Sequence, residues 1–190
     1  MIGQWTFQWL QQQGYQANYI PSTTSTNLIA KENAMAEKSP VVFYITDEQS
    51  MGRGQGNNKW INPAPGKSLL MTCSLLSTKP PQPELCLTFG RHLKSTCAIL
   101  WDDLQWRIKP PNDLFLENKK VAGILLESVT QGAQYRLLFG LGFNVFEFPQ
   151  TPEFEATCLK EHLETSLTEE KWTQFLGTLV SQFLGDNSLR

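Results

Sequence analysis

The chain has 190 residues, 41% of them hydrophobic and 18% charged, the size and composition of one folded domain and not of a disordered segment. Lys plus Arg number 16 against 18 Asp plus Glu, and the pI is near 5.7, so a generic nucleic-acid binder with a basic face is excluded as a first reading. Residues 1–20 lack the basic start and apolar run of a signal peptide, and no stretch reaches the ~18 apolar residues of a membrane helix. A soluble cytoplasmic protein without nucleic-acid or membrane partners is the expectation.

The first 21 residues are polar and aromatic with weak periodicity, and no element is predicted there. Ser22 to Asn27 is a run of short hydroxyl and amide side chains ahead of Leu28, Ile29 and Ala30, which predicts a capped helix over 26–38. Val41 to Ile45 is β-rich and reads as a buried strand. Residues 46–66 hold four glycines and two prolines and read as a long loop, a length that compact domains keep for function. Ser68 to Leu76 is the next predicted strand. After the proline-rich loop 79–83, Pro83 to Leu100 carries Leu85, Phe89 and Leu93 on one helical face.

Leu104 to Ile108 and Leu114 to Glu117 read as strands around a rigid Lys109-Pro110-Pro111-Asn112-Asp113 turn. Asn118-Lys119 closes a hairpin into a strand over Val121 to Val129. Tyr135 to Val145 is apolar on both faces, which predicts a central strand. A punctuated stretch, Phe148 to Glu153, precedes a C-terminal helix whose capping box is read as Ser166 with Glu169. The order predicts an α+β fold with a mixed, mostly antiparallel central sheet and flanking helices.

Cys73, Cys86, Cys97 and Cys158 form no CxxC pair, and His92 and His162 fit no metal spacing. Reduced, mostly buried thiols are expected, and no residue is assigned as a metal ligand.

Five short stretches do not look like packing. Ser25-Thr26-Asn27 by itself is a helix cap. Gln49 to Trp60 contains Gly52-Arg53-Gly54-Gln55-Gly56, whose alternating glycines free backbone N–H groups to meet an anion; Arg53 adds a forked cation and Trp60 a stacking face. By itself it reads equally as a flexible surface loop. Lys109 to Asp113 places a cation, an amide and a carboxylate on one stiff turn, or is a plain Asx turn. Lys119 reads as a hairpin tip, whereas Lys120, with Gly123 three residues on, can hold an ammonium over a ligand. Gly140-Leu141-Gly142-Phe143-Asn144 marks close backbone approach in a strand and lacks the spacing of a dinucleotide fingerprint.

In this order, over residues 22–185, the five stretches together resemble the catalytic domain of the biotin protein ligases, relatives of lipoate ligases and octanoyl transferases. The resemblance implies a class II synthetase-type α+β domain across residues 1–190, with neither a helix-turn-helix nor a full β-barrel domain. It implies formation of biotinyl-5′-AMP from biotin and ATP with Mg²⁺, then transfer of biotin to a lysine of a biotin carboxyl carrier protein. It places Ser25, Thr26, Asn27, Gln49, Gly52, Arg53, Gly54, Lys120 and Gly123 at biotin, and Arg53, Trp60, Asn112, Lys120, Leu141 and Asn144 at ATP. Lys120, Arg53, Lys109 and Asp113 become the catalytic set. A homodimer through the sheet edge is left open.

Two positions depart from the family pattern. Pro110 stands where a Trp is usual in KWPND, and Gln55 stands where an Arg often follows GRG. The other readings kept open are a lipoate or octanoate ligase or transferase of the same fold, and a non-catalytic protein that binds biotin or the carrier.

Overall fold

The computed structural model describes residues 1–150 and 154–186. The β-rich runs pair into one seven-stranded sheet built from β1 (Gln16–Thr23), β2 (Val41–Gln49), β3 (Ser68–Ser77), β4 (Trp106–Lys109), β5 (Asp113–Leu116), β6 (Lys119–Gln131) and β7 (Gln134–Asn144). Their spatial order is β1-β2-β3-β7-β6-β5-β4. Only β1 and β2 run parallel; the other neighbours are antiparallel. β7 is the middle strand, as a segment apolar on both faces must be. The expected α+β architecture, a mostly antiparallel sheet with flanking helices, is present.

Strand alternation divides the sheet into two faces. Leu69, Met71, Cys73 and Leu75 of β3 and Leu137, Phe139, Leu141 and Phe143 of β7 join one large core with α1 (Ile2–Gln12), α3 (Glu84–Leu100) and α4 (Glu169–Gly185). The apolar stripe of α4 brings Phe183 to 4.6 Å from Phe89 and Phe175 to 4.8 Å from Trp172 between ring centroids. Such aromatic pairs add about 0.5–1.5 kcal/mol each beyond their burial. The intervening residues face the other way. There α2 (Thr26–Asn33) covers part of the sheet through a small cluster of Ala30, Val42, Tyr44 and Leu138. The rest of that face is left for a site.

Four sequence expectations need correction. Helix α1 and strand β1 occupy residues where no element is predicted. The buried stripe of α1 is only Ile2, Gly3, Thr6 and Leu10, and its polar member hides the period. Thr6 fits because its hydroxyl donates to the Ile2 carbonyl at 2.8 Å and accepts from Trp172 Nε1 at 3.0 Å. Strand β1 lies at the sheet edge, where Pro21 is tolerated. Third, α2 ends at Asn33, not 38. A buried ion pair pulls the following segment onto the sheet: Arg136 Nη1 lies 3.0 Å from Glu37 Oε2, and both side chains are 3% exposed. Tyr44 and Ser74 donate to the same carboxylate at 2.7 and 2.6 Å, and Arg136 Nη2 also donates to the Ser39 carbonyl at 2.8 Å. Burial, with the Glu37 carboxylate alongside, raises the Tyr44 phenol above its ordinary pKa. Fourth, α4 is capped by Thr168, whose Oγ1 accepts from Lys171 N at 3.2 Å; the Ser166–Glu169 box is not formed. The punctuated stretch from Phe148 runs into residues 151–153, which lie outside the described residues.

Truncating Arg136 would strand the Glu37 charge in this buried setting. Arg136→Met is expected to cost about 3–5 kcal/mol in urea unfolding, and the pair Arg136→Met/Glu37→Leu to recover most of it. A loss below about 1 kcal/mol for the single variant would show that the pair does not hold this segment.

Candidate active site

Three glycines form the floor. On the open face, β6 presents Gly123 and Leu125 beside Gly142 and Gly140 of β7, and Thr72 of β3 pairs across from Gly140. Without Cβ atoms, side chains from elsewhere lie flat on the backbone there. A Cβ on Gly140 would sit 2.2 Å from Asn27 Oδ1, and one on Gly142 would sit 2.5 Å from the Trp60 ring. One on Gly123 would meet the same ring at 3.1 Å and Lys120 Nζ at 3.5 Å.

The N-terminus of α2 walls one end. Ser25 is the N-cap residue, but its side chain makes no cap hydrogen bond; it is buried and lines the cavity. Gln49, carried there by an extension of β2 beyond the predicted Val41–Ile45, takes over the cap. Its Oε1 accepts from Thr26 N at 2.7 Å and from Thr26 Oγ1 at 3.2 Å. Thr72 Oγ1 lies 2.6 Å from Asn27 Oδ1 and 2.8 Å from Thr26 Oγ1. Asn27 Nδ2 donates to Glu127 Oε2 at 3.0 Å. The result is a recess lined by hydroxyls and amides with fixed orientations.

The glycine loop folds over this recess as a small hairpin. Gly54 N donates to the Asn58 carbonyl at 2.8 Å and Trp60 N to the Gly52 carbonyl at 3.0 Å, with a bridge between Arg53 and Lys59. Gly52 has Trp60 backbone 2.5 Å from where a Cβ would be, so only glycine fits this crossing. Arg53 Nη2 reaches Glu127 Oε1 at 3.1 Å. The cavity beneath the loop is about 100 Å³, lined by Ser25, Thr26, Gln49, Arg53 and Trp60 among others. That is below the roughly 300–1,000 Å³ of typical small-molecule sites, so the recess under the folded loop is small for a ligand by itself.

A second cavity of about 610 Å³ adjoins the first and shares Trp60, Asp113 and Lys120 with it. Lys120 sits at a register shift between β5 and β6, and its backbone bonds instead to the Glu155 carbonyl and Thr157 N, both at 3.0 Å. Its ammonium is 2.8 Å from Asp113 Oδ1, with both side chains about one-fifth exposed at 21% and 20%. It also lies 5.9 Å from the Trp60 ring centroid and 5.3 Å from that of Phe154. Lys109 faces this second cavity only, 5.6 Å over Phe115. The Lys109–Asp113 turn includes a cis Pro110–Pro111 bond and is pinned to β6 by Asn112, whose Nδ2 donates to the Ile124 carbonyl at 2.9 Å.

The structure thus gathers Ser25, Thr26, Asn27, Gln49, Arg53, Gly54, Trp60, Asn112, Asp113, Lys120 and Gly123 around one cavity. Gly52 shapes the loop from outside that lining. Leu141 directs its side chain into the helix-side core, so it offers the cavity only main chain. Asn144 lines the second cavity; it is 2% exposed, and its amide donates to the Thr157 carbonyl at 3.2 Å and accepts from Ser68 at 3.4 Å. The motifs did not flag Thr72, Phe115, Phe154 or the partner role of Glu127. Glu127 was readable in part, because strand alternation from Gly123 puts it on the same face; the others depend on contacts distant in sequence.

All four cysteines are free, and Cys73, Cys97 and Cys158 are buried. Cys73 belongs to the core on the helix side, away from the recess. Burial raises the pKa of every one of these thiols. Among the described residues no group of three or more His, Cys, Asp or Glu is placed to hold a metal, and no helix is long and apolar enough to cross a membrane.

Comparison with known proteins gives a consistent set of relatives. The family model for the biotin/lipoate A/B protein ligase family matches residues 19–144. A human biotin–protein ligase is 32% identical over 114 residues, which cover 55% of this chain and 15% of that protein. The biotin–[acetyl-CoA-carboxylase] ligase of Mycobacterium tuberculosis is 30% identical over 150 residues, 76% of this chain and 54% of that protein. The chain therefore spans about half, or much less, of these relatives' length. The crystal structure of biotin protein ligase from Leishmania major in complex with biotinyl-5-AMP superposes with a TM-score of 0.72 at 22% identity, covering 90% of this chain and 75% of that one. At that identity the likeness establishes a shared fold.

Gly142→Ala is expected to unseat Trp60 at a cost of about 1–3 kcal/mol, read as a changed near-UV tryptophan signal with unchanged far-UV helix content. An unaltered near-UV signal would mean that Trp60 does not rest on this glycine. Raised thiol pKa values mean that thiolate fractions stay low as pH rises through 8. Cys73, Cys97 and Cys158 are expected to resist iodoacetamide in the native protein at pH 8 and to label on unfolding, as mass spectrometry would show.

Proposed function

The chain belongs to the biotin/lipoate A/B protein ligase family, and on that premise we propose that it forms biotinyl-5′-AMP from biotin and ATP and transfers biotin to one lysine of a biotin carboxyl carrier protein. The observation that carries this reading is the meeting of two cavities at Lys120, Asp113 and Trp60. A carboxylate held in the small polar recess and a nucleotide held in the larger cavity come together at the Lys120 ammonium. Within this scheme the 190 residues act as one catalytic unit.

In the first step a biotin carboxylate oxygen attacks the α-phosphorus of ATP and the bond to pyrophosphate breaks. Two anions approach and charge builds on the equatorial oxygens, so fixed cations at the junction lower the barrier. Lys120 serves the carboxylate and the α-phosphate. Arg53 closes from the loop, and Lys109 faces the nucleotide side. Mg²⁺ would ride on the phosphates and neutralise their charge. Among the described residues the second cavity offers it one carboxylate, Asp113, and no cage, which suits a cation that keeps its waters and leans on substrate oxygens.

In the second step the neutral amine of the acceptor lysine attacks the acyl carbon, AMP leaves and the amine loses a proton. Asp113, at the junction, orients the amine and takes that proton. The folded glycine loop keeps water from the reactive anhydride between the steps.

The polar recess favours a ureido ring over a lipoyl or octanoyl chain. The Ser25 hydroxyl, which lines the recess and makes no cap hydrogen bond, offers a ureido ring a partner that an alkyl chain cannot use. The position of Cys73 on the far face supports a mechanism without a thiol nucleophile.

Biotin-dependent pyrophosphate release with MgATP tests the first half-reaction, and labelling of a carrier-domain lysine tests the second. Lys120→Ala is expected to lower pyrophosphate release by about 10²–10³-fold. Asp113→Asn is expected to slow transfer to the carrier by about 10²-fold or more and adenylation less. Gln55→Arg is expected to slow escape of the adenylate in a single-turnover chase. Measurable biotin binding with no pyrophosphate release from biotin, lipoate or octanoate would replace this reading with that of a binding protein.

A further inference from the structure

We propose that Glu127 is a positioning residue that straps the glycine loop to the sheet by holding Arg53. Its carboxylate is divided between two partners on different elements. Oε1 lies 3.1 Å from Arg53 Nη2, and Oε2 accepts from Asn27 Nδ2 at 3.0 Å. One side chain on β6 thereby ties the N-terminal turn of α2 to the hairpin above the recess. Asn27 is in turn fixed by Thr72 and by its seat on Gly140. The strap is therefore anchored at its lower end in three strands of the sheet.

The loop has few other holds. The bonds from Gly54 to Asn58 and from Trp60 to Gly52 are internal to the hairpin. At its base Ser50 N and Met51 N donate to the Thr23 and Thr24 carbonyls at 2.8 and 2.9 Å. Among the described residues, Arg53–Glu127 is the one ion pair joining residues 51–60 to the sheet. Because the hairpin is internally bonded, holding Arg53 holds Trp60 in its seat on Gly142 as well.

Glu127 does not line the small cavity, whereas Arg53 does. The carboxylate thus stands outside the recess lining, so a ligand inside need not displace it. The same strap that closes the loop over an empty recess then closes it over a filled one. Its side chain is 15% exposed against 44% for Arg53, so the carboxylate is the fixed post and the guanidinium the moving part. Breaking the pair should let the hairpin lift more often without unfolding the sheet, since local opening is governed by the few contacts of the opening unit.

The test is limited trypsin digestion of the full ligand-free chain, with cleavage scored after Arg53 and Lys59. Glu127→Gln keeps an oxygen for Asn27 and loses the charge that holds Arg53. It is expected to raise loop cleavage about tenfold, with the global unfolding midpoint unchanged. Raising NaCl should speed cleavage of the wild-type loop by screening the half-exposed pair and leave the variant's rate unaltered. Arg53→Gln, scored after Lys59 alone, should match Glu127→Gln, and the double variant should add nothing further. Unchanged cleavage in both single variants, or additive effects in the double variant, would overturn the strap.

The consequence for catalysis rests on the function proposed above: Glu127→Gln should release biotinyl-5′-AMP several-fold faster in a single-turnover chase, and recovery of slow release in Glu127→Asp would tie the effect to the carboxylate. If no adenylate forms in any variant, the proposed function fails while the digestion result still decides the strap.

Discussion

The site depends on the missing Cβ atoms of Gly123, Gly140 and Gly142 at the centre of the sheet. Side chains on neighbouring strands normally stand up from the surface and keep other groups at a distance. Here three positions clustered across β6 and β7 carry nothing, so the Asn27 amide and the Trp60 indole rest directly on backbone. That contact fixes the height of the helix end and of the loop above the sheet. The polar recess, the wall between the two cavities and the placement of Lys120 over Gly123 all follow from it. The strands tolerate the glycines because β7 is central and the opposite face, with Phe139, Leu141 and Phe143, is packed against three helices.

Charge is arranged as pairs around this floor. Arg136 with Glu37 is fully buried and structural; it brings residues 34–40 onto the sheet and so sets where α2 must stop. Arg53 with Glu127 and Lys120 with Asp113 lie at the recess and are only partly shielded. Lys109 differs, lying over the Phe115 ring. A deep pair costs several kcal/mol to break and defines geometry. Of the two partly shielded pairs, Lys120–Asp113 lies at the junction of the cavities and can exchange its carboxylate for a ligand's anion at small net cost, whereas Arg53–Glu127 stands at the edge of the recess lining. The gradient from buried to accessible pairs separates the scaffold from the working groups.

The backbone around Lys120 shows how strand irregularity serves the site. Lys120 lies beside the register shift between β5 and β6, its N–H and carbonyl bond to residues 155 and 157, and Asn144 binds the same segment from β7. The chain crossing at Glu155–Thr157 is thus held from two strands and presents Phe154 beside the Lys120 ammonium. Bulges re-aim a side chain in this way wherever a regular ladder would point it elsewhere.

Local pattern alone determined much of this protein. Short apolar runs, β-branched in β2 and β6 and rich in Leu or Phe in β3 and β7, marked those strands, helical stripes marked α3 and α4, and motif order pointed to the family and most of the residues around the recess. Those signals are short-range, since propensity, alternation and glycine spacing are properties of a few neighbouring residues. Helix α1 and strand β1 escaped because one buries a stripe interrupted by Thr6 and the other is a half-exposed edge strand with Pro21. Tertiary structure alone decided that Gln49 and not Ser25 caps α2, that Thr168 and not Ser166 begins α4, that Leu141 turns its side chain away from the site, and that Glu127 holds Arg53. In each case the outcome is a competition between hydrogen-bond or packing partners far apart in the chain. Which partner wins depends on distances that exist only once the sheet has formed.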